Sequence, residues 1–396
     1  MNKVFGIKEN IFLSTFLAVK EIWRNRGRFL MVSLVIALIT LLVLFIAALG
    51  EGLGNGNREY LSKLDAELIA FQSKSDLLIA ASRLERGRLS SIRRVEGVGD
   101  AGMVGAASVN LVLSETETPL KAALLGVEPG HIGEPQVVEG SQLSTDLADE
   151  AVIDRNTAIQ SGLQVGDMAT IRVTQGTRDE IYSLQVVGIT DGQQYGLQPS
   201  IFSPFFTWDR VRPKSEAEVN GAEAVGNIIL IKLMDGVSSE AVTSRLLAQV
   251  KNIDIATVDS AIQALPGYSA QQSTLNTQGA FTLFIGVLVI GGFFQIQVLQ
   301  KVPQIGVLKA IGASNKVVAF ASVIQIVVVT AIGVLIGGLL ALLFSLTFPP
   351  TVPIVFNGTT SLIAIVALLL IGPIGGLVSI RYAVKIEPLK ALGLSS

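Results

Sequence analysis

FLMVSLVIALITLLVLFIAAL, residues 29–49, runs for 21 residues without a charge. At about 1.5 Å of rise per residue a helix of that length matches a hydrocarbon core of roughly 30 Å. The stretch therefore reads as a membrane-spanning helix. A signal peptide has an apolar region of only about 7 to 15 residues, so the run is expected to stay in place as a span despite a faint cleavage-like Ala48-Leu49-Gly50. Three further uncharged runs, Gly279–Gln300, Val317–Leu346 and Thr360–Ile380, each reach a spanning length of about 20 residues. Four such runs rarely coexist in one soluble core.

The rest of the composition fits a chain that is part membrane and part water-soluble. Of its 396 residues 50% are hydrophobic and 16% charged, with a mean hydropathy of +0.57. Soluble domains usually carry about 25% charge. The shortage lies outside residues 51–278, which hold 18 basic and 29 acidic side chains. Outside them stand 12 basic residues against Glu9, Glu21 and Glu387. By the positive-inside rule the N-terminus, the 301–316 loop and the C-terminus are cytoplasmic, and the acidic middle segment lies outside the cell. That acidity argues against a nucleic-acid partner. Cysteine is absent, so there is no disulfide framework and no thiolate chemistry.

In chain order, Ile11–Arg26 places Phe12, Phe16, Val19 and Trp23 at helical spacing beside Lys20, Arg24 and Arg26, an amphipathic helix for the inner membrane surface. Glu51–Lys63 reads as a glycine-rich turn and the start of a stalk. Strands are expected at Glu67–Phe71, Leu77–Ala80, Val104–Leu113, Lys121–Val127, Leu184–Thr190, Ile201–Phe206 and Asn227–Leu233, and helices at Ser90–Val95 and Ser238–Val250. The middle segment is thus α+β. Gly267–Thr277 is expected to extend the second span above the bilayer. The expected partition is 1–28 (cytoplasmic helix), 29–49 (first span), 50–278 (extracytoplasmic domain), 279–300 (second span), 301–316 (cytoplasmic loop helix), 317–346 (third span), 347–359 (external loop), 360–380 (fourth span) and 381–396 (cytoplasmic tail). Gly333 with Gly337, and Gly372 with Gly376, are small residues four apart, the spacing that lets helices approach closely in lipid. Pro373 is expected to kink the fourth span.

Between the second and third spans lies KVPQIGVLKAIGAS, Lys301–Ser314. Pro303 suits a helical first turn, and Ile305, Leu308 and Ile311 are expected to form an apolar ridge for insertion into a partner, with Lys309 and Lys316 facing acidic groups or lipid headgroups. The stretch is no P-loop, because that motif needs G-x-x-x-x-G-K-[ST] and Gly312 is followed by Ala313-Ser314. His131 is the single histidine, so mechanisms built on two imidazoles are excluded.

One span, a large exported α+β domain and three further spans, with Ile305–Ala313 and Pro388-Leu389-Lys390-Ala391-Leu392, resemble the FtsX-like, MacB-type permease family of ABC transporters over essentially the whole chain. The family's Arg-rich run and Glu ahead of Ile-Gly are replaced here by Lys301-Val302-Pro303-Gln304. The resemblance implies a membrane α-helical protein with four transmembrane helices and an extracytoplasmic α+β domain inserted between helices one and two, in a bacterial cytoplasmic membrane. It implies a homodimer that works by mechanotransmission with two ABC ATPase subunits, with or without a periplasmic adaptor. This chain is expected to bind no cofactor, ATP and Mg belonging to the partner. Pro303, Gln304, Ile305, Gly306, Leu308, Lys309, Ile311 and Gly312 would form the coupling helix. FLAVKEIWRNRGRF and GLGNGNREYLSKLDAELIAF are similar to the branch that exports haem. Drug and lipid remain alternative substrates, and signalling to an external enzyme or lipoprotein extraction remain alternative functions. Haem iron accepts His, Met or Tyr, which names His131, Met103, Met168 and Tyr60 as candidates, with Glu59 named beside Tyr60, although a lone exported histidine is more often a surface turn residue.

Overall fold

The computed structural model describes residues 15–16, 18–113, 118–219, 224–348 and 354–386. The chain divides into one unit of Met1–Gly52 with Ser273–Ser396 and a second of Leu53–Gln272. Helix α1 (Arg26–Ser62) is continuous, so the glycine-rich turn expected within Glu51–Lys63 is absent and its glycines are helical, while the stalk expected there is the end of α1. The second unit then holds β1 (Leu68–Gln72), β2 (Leu84–Glu85), α2 (Arg86–Ile92), β3 (Val98–Val112), β4 (Leu120–Val127), β5 (Val137–Gly140), β6 (Glu150–Asp154), α3 (Arg155–Ser161), β7 (Met168–Gln175) and β8 (Arg178–Thr190). It continues with β9 (Ser200–Pro204), α4 (Phe205–Val211), α5 (Glu216–Val219), β10 (Val225–Gly226), β11 (Ile228–Leu233), α6 (Ser239–Gln249), β12 (Ile253–Thr257) and α7 (Val258–Gln263). Then come α8 (Tyr268–Gln300), α9 (Val302–Ala310), α10 (Asn315–Ser345) and α11 (Gly358–Lys385).

Strand β3 organises the second unit because its 15 residues are long enough to serve two lobes. Its first half pairs with β11 and extends an antiparallel sheet in the order β12-β1-β11-β3. Its second half pairs with β4, and the pairings β3-β4-β9-β6-β8-β7 return to β3 through Asn110–Val112, closing a ring. Alternate side chains fill that ring: Val109, Leu111, Leu124, Ile153, Ile171 and Ile201 are buried, as a pleat with one face inward requires. Trp208 of α4 covers the ring where Gly105 and Gly126 leave room for its indole, and its Nε1 donates to Leu124 O at 3.1 Å.

Three local expectations are corrected. Leu77–Ala80 is a run of turns, because Lys74, Asp76 and Leu77 have positive φ and the Asn227 amide donates to Ile79 O and Ser82 O. The strand expected to run to Phe206 stops at Pro204, where α4 begins. The helix expected at Ser90–Val95 lies earlier, at α2.

In the membrane unit four helices are long and apolar enough to cross a bilayer, within 26–56, 268–300, 315–345 and 358–385. Their crossings are set by glycine. A Cβ on Gly333 would meet Ile36, and one on Gly337 would meet Thr40, so these two receive α1. Gly372 and Gly376 instead receive Thr330 and Ile326 of α10. A further close backbone approach was not anticipated: a Cβ on Gly291 of α8 would lie 2.7 Å from Gly375 O, and one on Gly375 would lie 2.7 Å from Val287 O. Helix α11 thus uses Gly372 and Gly376 on one side and Gly375 on another, with Pro373 inside the same helix. Gly291→Ala or Gly375→Ala is expected to destabilise the bundle by about 1–3 kcal/mol through overpacking, whereas Gly292→Ala, which meets open space, leaves it unchanged. Thermal unfolding of the purified full chain measures the difference.

Candidate functional site

Helix α9 is short because both of its ends are specified locally. Lys301 precedes it and Pro303 sits in its first turn, where a missing N–H costs nothing. At its end Gly312 takes φ +105°, Gly312 N donates to Lys309 O at 3.0 Å, and Ala313 N donates to Leu308 O at 3.1 Å. That pair of bonds is a Schellman termination. Two residues later Ser314 caps α10, its hydroxyl accepting from Val317 N. The turn from α9 into α10 is thereby held by the backbone itself.

The inner side of α9 is anchored on three other helices. Val302, Ile305 and Leu308 pack against a cluster of Val298 from α8, Val318 from α10, and Ala383 and Ile386 at the end of α11. Gly306 of the same helix is buried. Lys309 reaches across to α11, donating to Val384 O at 2.6 Å and Ile386 O at 2.9 Å. Those carbonyls belong to a helix end, where no intrahelical donor is available, and a cation there also complements the helix dipole.

This geometry corrects the expected orientation. Ile305 and Leu308 face their own bundle and cannot form an outward ridge with Ile311, and Lys309 faces carbonyls instead of acids or lipid headgroups. The outward side consists of Pro303, Gln304, Val307, Ala310, Ile311 and Gly312, with Val307 44% and Ile311 81% exposed. Pro303, Val307 and Ile311 are four apart, which places them on one face of a helix. Val307 was missed by the sequence reading; the 303, 307, 311 spacing was the available signal. Pro388–Leu392 lies outside the described residues.

On the other side of Lys301 a second polar cluster forms. Lys301 is ion-paired with Glu21, and Gln325 Nε2 donates to the other Glu21 oxygen at 2.5 Å. Lys301 also donates to Gln297 Oε1 at 3.3 Å. Residues 18–24, helical before α1, are thereby joined to α8 and α10.

The candidates for haem iron are not gathered into one site. Met103 is buried in the core and Met168 is exposed on β7. Tyr60 and His131 do line one cavity of about 520 Å³ in the second unit. Tyr60 there donates its hydroxyl to Gly133 O at 3.2 Å, and His131 Nδ1 lies 3.0 Å from Asp100. Burial raises the Tyr60 phenol above its ordinary range. Glu59 instead bonds Gln194 N and pairs with Lys63. Among the described residues no three His, Cys, Asp or Glu side chains are placed to hold a metal ion.

A bundle of four membrane-length helices with a large α+β unit inserted after the first, and a short anchored helix between the second and third, is the layout of a transport permease. The profile of the MacB-like periplasmic core domain matches residues 29–249, and that of the FtsX-like permease C-terminal matches residues 277–388. The chain belongs to this FtsX-like and MacB-like family and is a membrane permease subunit of an ABC transporter. It is 25% identical over 377 residues to "Putative hemin transport system permease protein HrtB" of Staphylococcus haemolyticus, covering 95% of this chain and 99% of that one. A protein of the same name from Staphylococcus epidermidis is 23% identical over 380 residues, with the same coverage. An uncharacterized ABC transporter permease of Mycobacterium tuberculosis is 29% identical over 109 residues, 28% of this chain and 31% of that one. The periplasmic region of MacB from Actinobacillus actinomycetemcomitans superposes with a TM-score of 0.36 at 16% identity, covering 50% of this chain and 91% of that one.

Lys309→Met is expected to lower the thermal stability of the purified chain by about 1–3 kcal/mol, since it strips the partner from two carbonyls. Lys316→Met, at an exposed position of α10, is expected to have no such effect.

Proposed function

We propose that this permease exports haem, or an amphiphile of similar character, as a homodimer driven by two copies of a cytoplasmic ATPase. The observation that carries the substrate is the full-length similarity to proteins named for hemin transport, which spans both the membrane unit and the inserted domain. In this reading the protein lies in a bacterial cytoplasmic membrane with both termini inside. The ATPase subunits bind ATP and Mg and seat on the outward face of α9 through Pro303, Gln304, Val307 and Ile311.

Mechanotransmission follows from how α9 is held. A push on Val307 and Ile311 is not absorbed by rotation of α9, because Ile305 and Leu308 are packed and Lys309 is tied to α11. The displacement passes to the ends of α8, α10 and α11 together, and α1 receives it through Gly333 and Gly337.

Three measurements test this. The chain and its ATPase, reconstituted in liposomes, are expected to hydrolyse ATP faster with haem; a rate indifferent to haem overturns the substrate. Val307→Asp with Ile311→Asp is expected to abolish co-purification of the ATPase while leaving the thermal stability of the chain intact. Because the chain has no cysteine, Gln304→Cys reports topology directly. It is expected to be labelled by an impermeant maleimide only after the cells are opened, and labelling of intact cells overturns the orientation.

A further inference from the structure

A cavity of about 450 Å³ lies beside α9 in the membrane unit, between residues 18–24 and helices α8 to α11. Its floor carries the buried Phe294 and Ile326 with Val298 beside them, and the buried polar side chains of Gln297, Gln325 and Ser379 stand among them. Its mouth is basic, with Lys20 and Arg24 one turn apart on an exposed helical face. The one acid in it, Glu21, is already held by Lys301 and Gln325. What the cavity offers to an occupant is therefore positive charge at the opening and, beneath it, an apolar strip of Phe294, Val298 and Ile326 edged by amides and hydroxyls.

The helix that carries Lys20 and Arg24 adds an independent indication. Its Phe16, Val19 and Trp23 are 54%, 54% and 77% exposed, and they flank the two cations. Large apolar side chains with an exposed tryptophan next to basic residues, at the end of membrane-length helices, belong at the depth of lipid headgroups. Among the described residues this end of the bundle carries nine basic side chains and one acidic one. Basic pockets between membrane helices are places where anionic headgroups bind.

We propose that this cavity is a binding site for an anionic phospholipid. The phosphate sits between Lys20 and Arg24 at the mouth, and the start of an acyl chain lies over Phe294 and Ile326. A lipid there touches both the N-terminal helix and α9, so its occupancy bears on how freely α9 moves. An anionic head on an apolar body also describes haem, whose carboxylates could meet the same cations; the position of the mouth beside an interfacial helix favours the lipid. The site stands whether or not haem is what the complex exports, because its test reads retained lipid and not transport.

The test is native mass spectrometry of the full chain with its ATPase in mild detergent, titrated with phosphatidylglycerol and with phosphatidylcholine of the same acyl chains. The wild type is expected to retain phosphatidylglycerol about 25-fold more strongly, Lys20 and Arg24 each contributing on the order of a fivefold preference near a lipid surface. Lys20→Gln with Arg24→Gln is expected to lose that preference, and Arg381→Gln with Lys385→Gln to keep it. Ala321→Trp, which fills the cavity without changing charge, is expected to lose it too, with unchanged thermal unfolding showing that the fold survives. Equal retention of the two lipids by the wild type overturns the proposal. So does an equal loss in the Arg381 and Lys385 variant, or displacement by haem but not by added phosphatidylglycerol.

Discussion

An α-helix ends with carbonyls that have no partner within the helix, and at the end of α11 two of them are met by a side chain from a different helix, Lys309. The consequence reaches beyond one helix end. A charged group set against bare carbonyls in a half-buried position is costly to separate, since both sides would need new partners. Helix α9 therefore cannot swing away from α11 without losing those bonds, and it cannot roll without unpacking Ile305 and Leu308. The glycine crossings extend the same stiffness through the bundle. Where Gly291 and Gly375 bring backbones together, there is no flexible side chain between the helices to take up a displacement.

A comparable grip is found within the second unit, where the loop 191–198 straps the last turns of α1. Tyr60 N donates to Gln194 O at 3.1 Å and Leu197 N donates to Gly56 O at 2.8 Å, while Lys63 reaches Asp191 O at 3.3 Å. Gly56 is what lets the strap lie flat, since a Cβ there would come within 2.8 Å of Leu197. Glu59 is half-withdrawn from solvent under the strap, and that burial raises its carboxyl above the ordinary range in spite of the neighbouring Lys63. Arg58 donates to the Tyr268 hydroxyl at 3.1 Å, which ties the end of α1 to the first residue of α8. The two helices that leave this unit are thus fastened to each other at its margin, and a movement of one is felt by the other.

Much of this was legible in the sequence because the strongest signals are local. An uncharged run such as 29–49 has few alternatives to a span, and the Pro303 start and Gly312 stop bound α9 from their own chemistry. What escaped was set by long-range packing. Helix α9 is apolar around most of its circumference, so no pattern in Ile305, Val307, Leu308 and Ile311 reveals which side meets the bundle. The inward turn of Lys309 depends on carbonyls 75 and 77 residues away. The Gly291 and Gly375 crossing was hidden for a different reason: each lies next to another glycine, and only the partner helix decides which one faces it. Leu77–Ala80 has the composition of a strand, and the amide of Asn227, distant in sequence, holds it as turns.

The departure at Lys301-Val302-Pro303-Gln304 from the family's basic and acidic run finds a physical reading in these contacts. Lys301 is turned inward and its charge is satisfied by Glu21 of the same chain. Lys309, the other cation within 301–311, is occupied by α11. What α9 presents outward is then Pro303, Val307, Ala310 and Ile311 with the amide of Gln304. A partner seated on that face gains mostly from apolar burial, at roughly 25 cal/mol per Å², and little from ion pairs, which contribute about 0–1 kcal/mol at exposed positions. Recognition would rest on the fit of a short rigid helix into a groove. If a partner seats there, the anchoring of α9 is a condition for binding, because a helix free to roll would present Val307 and Ile311 in no fixed direction.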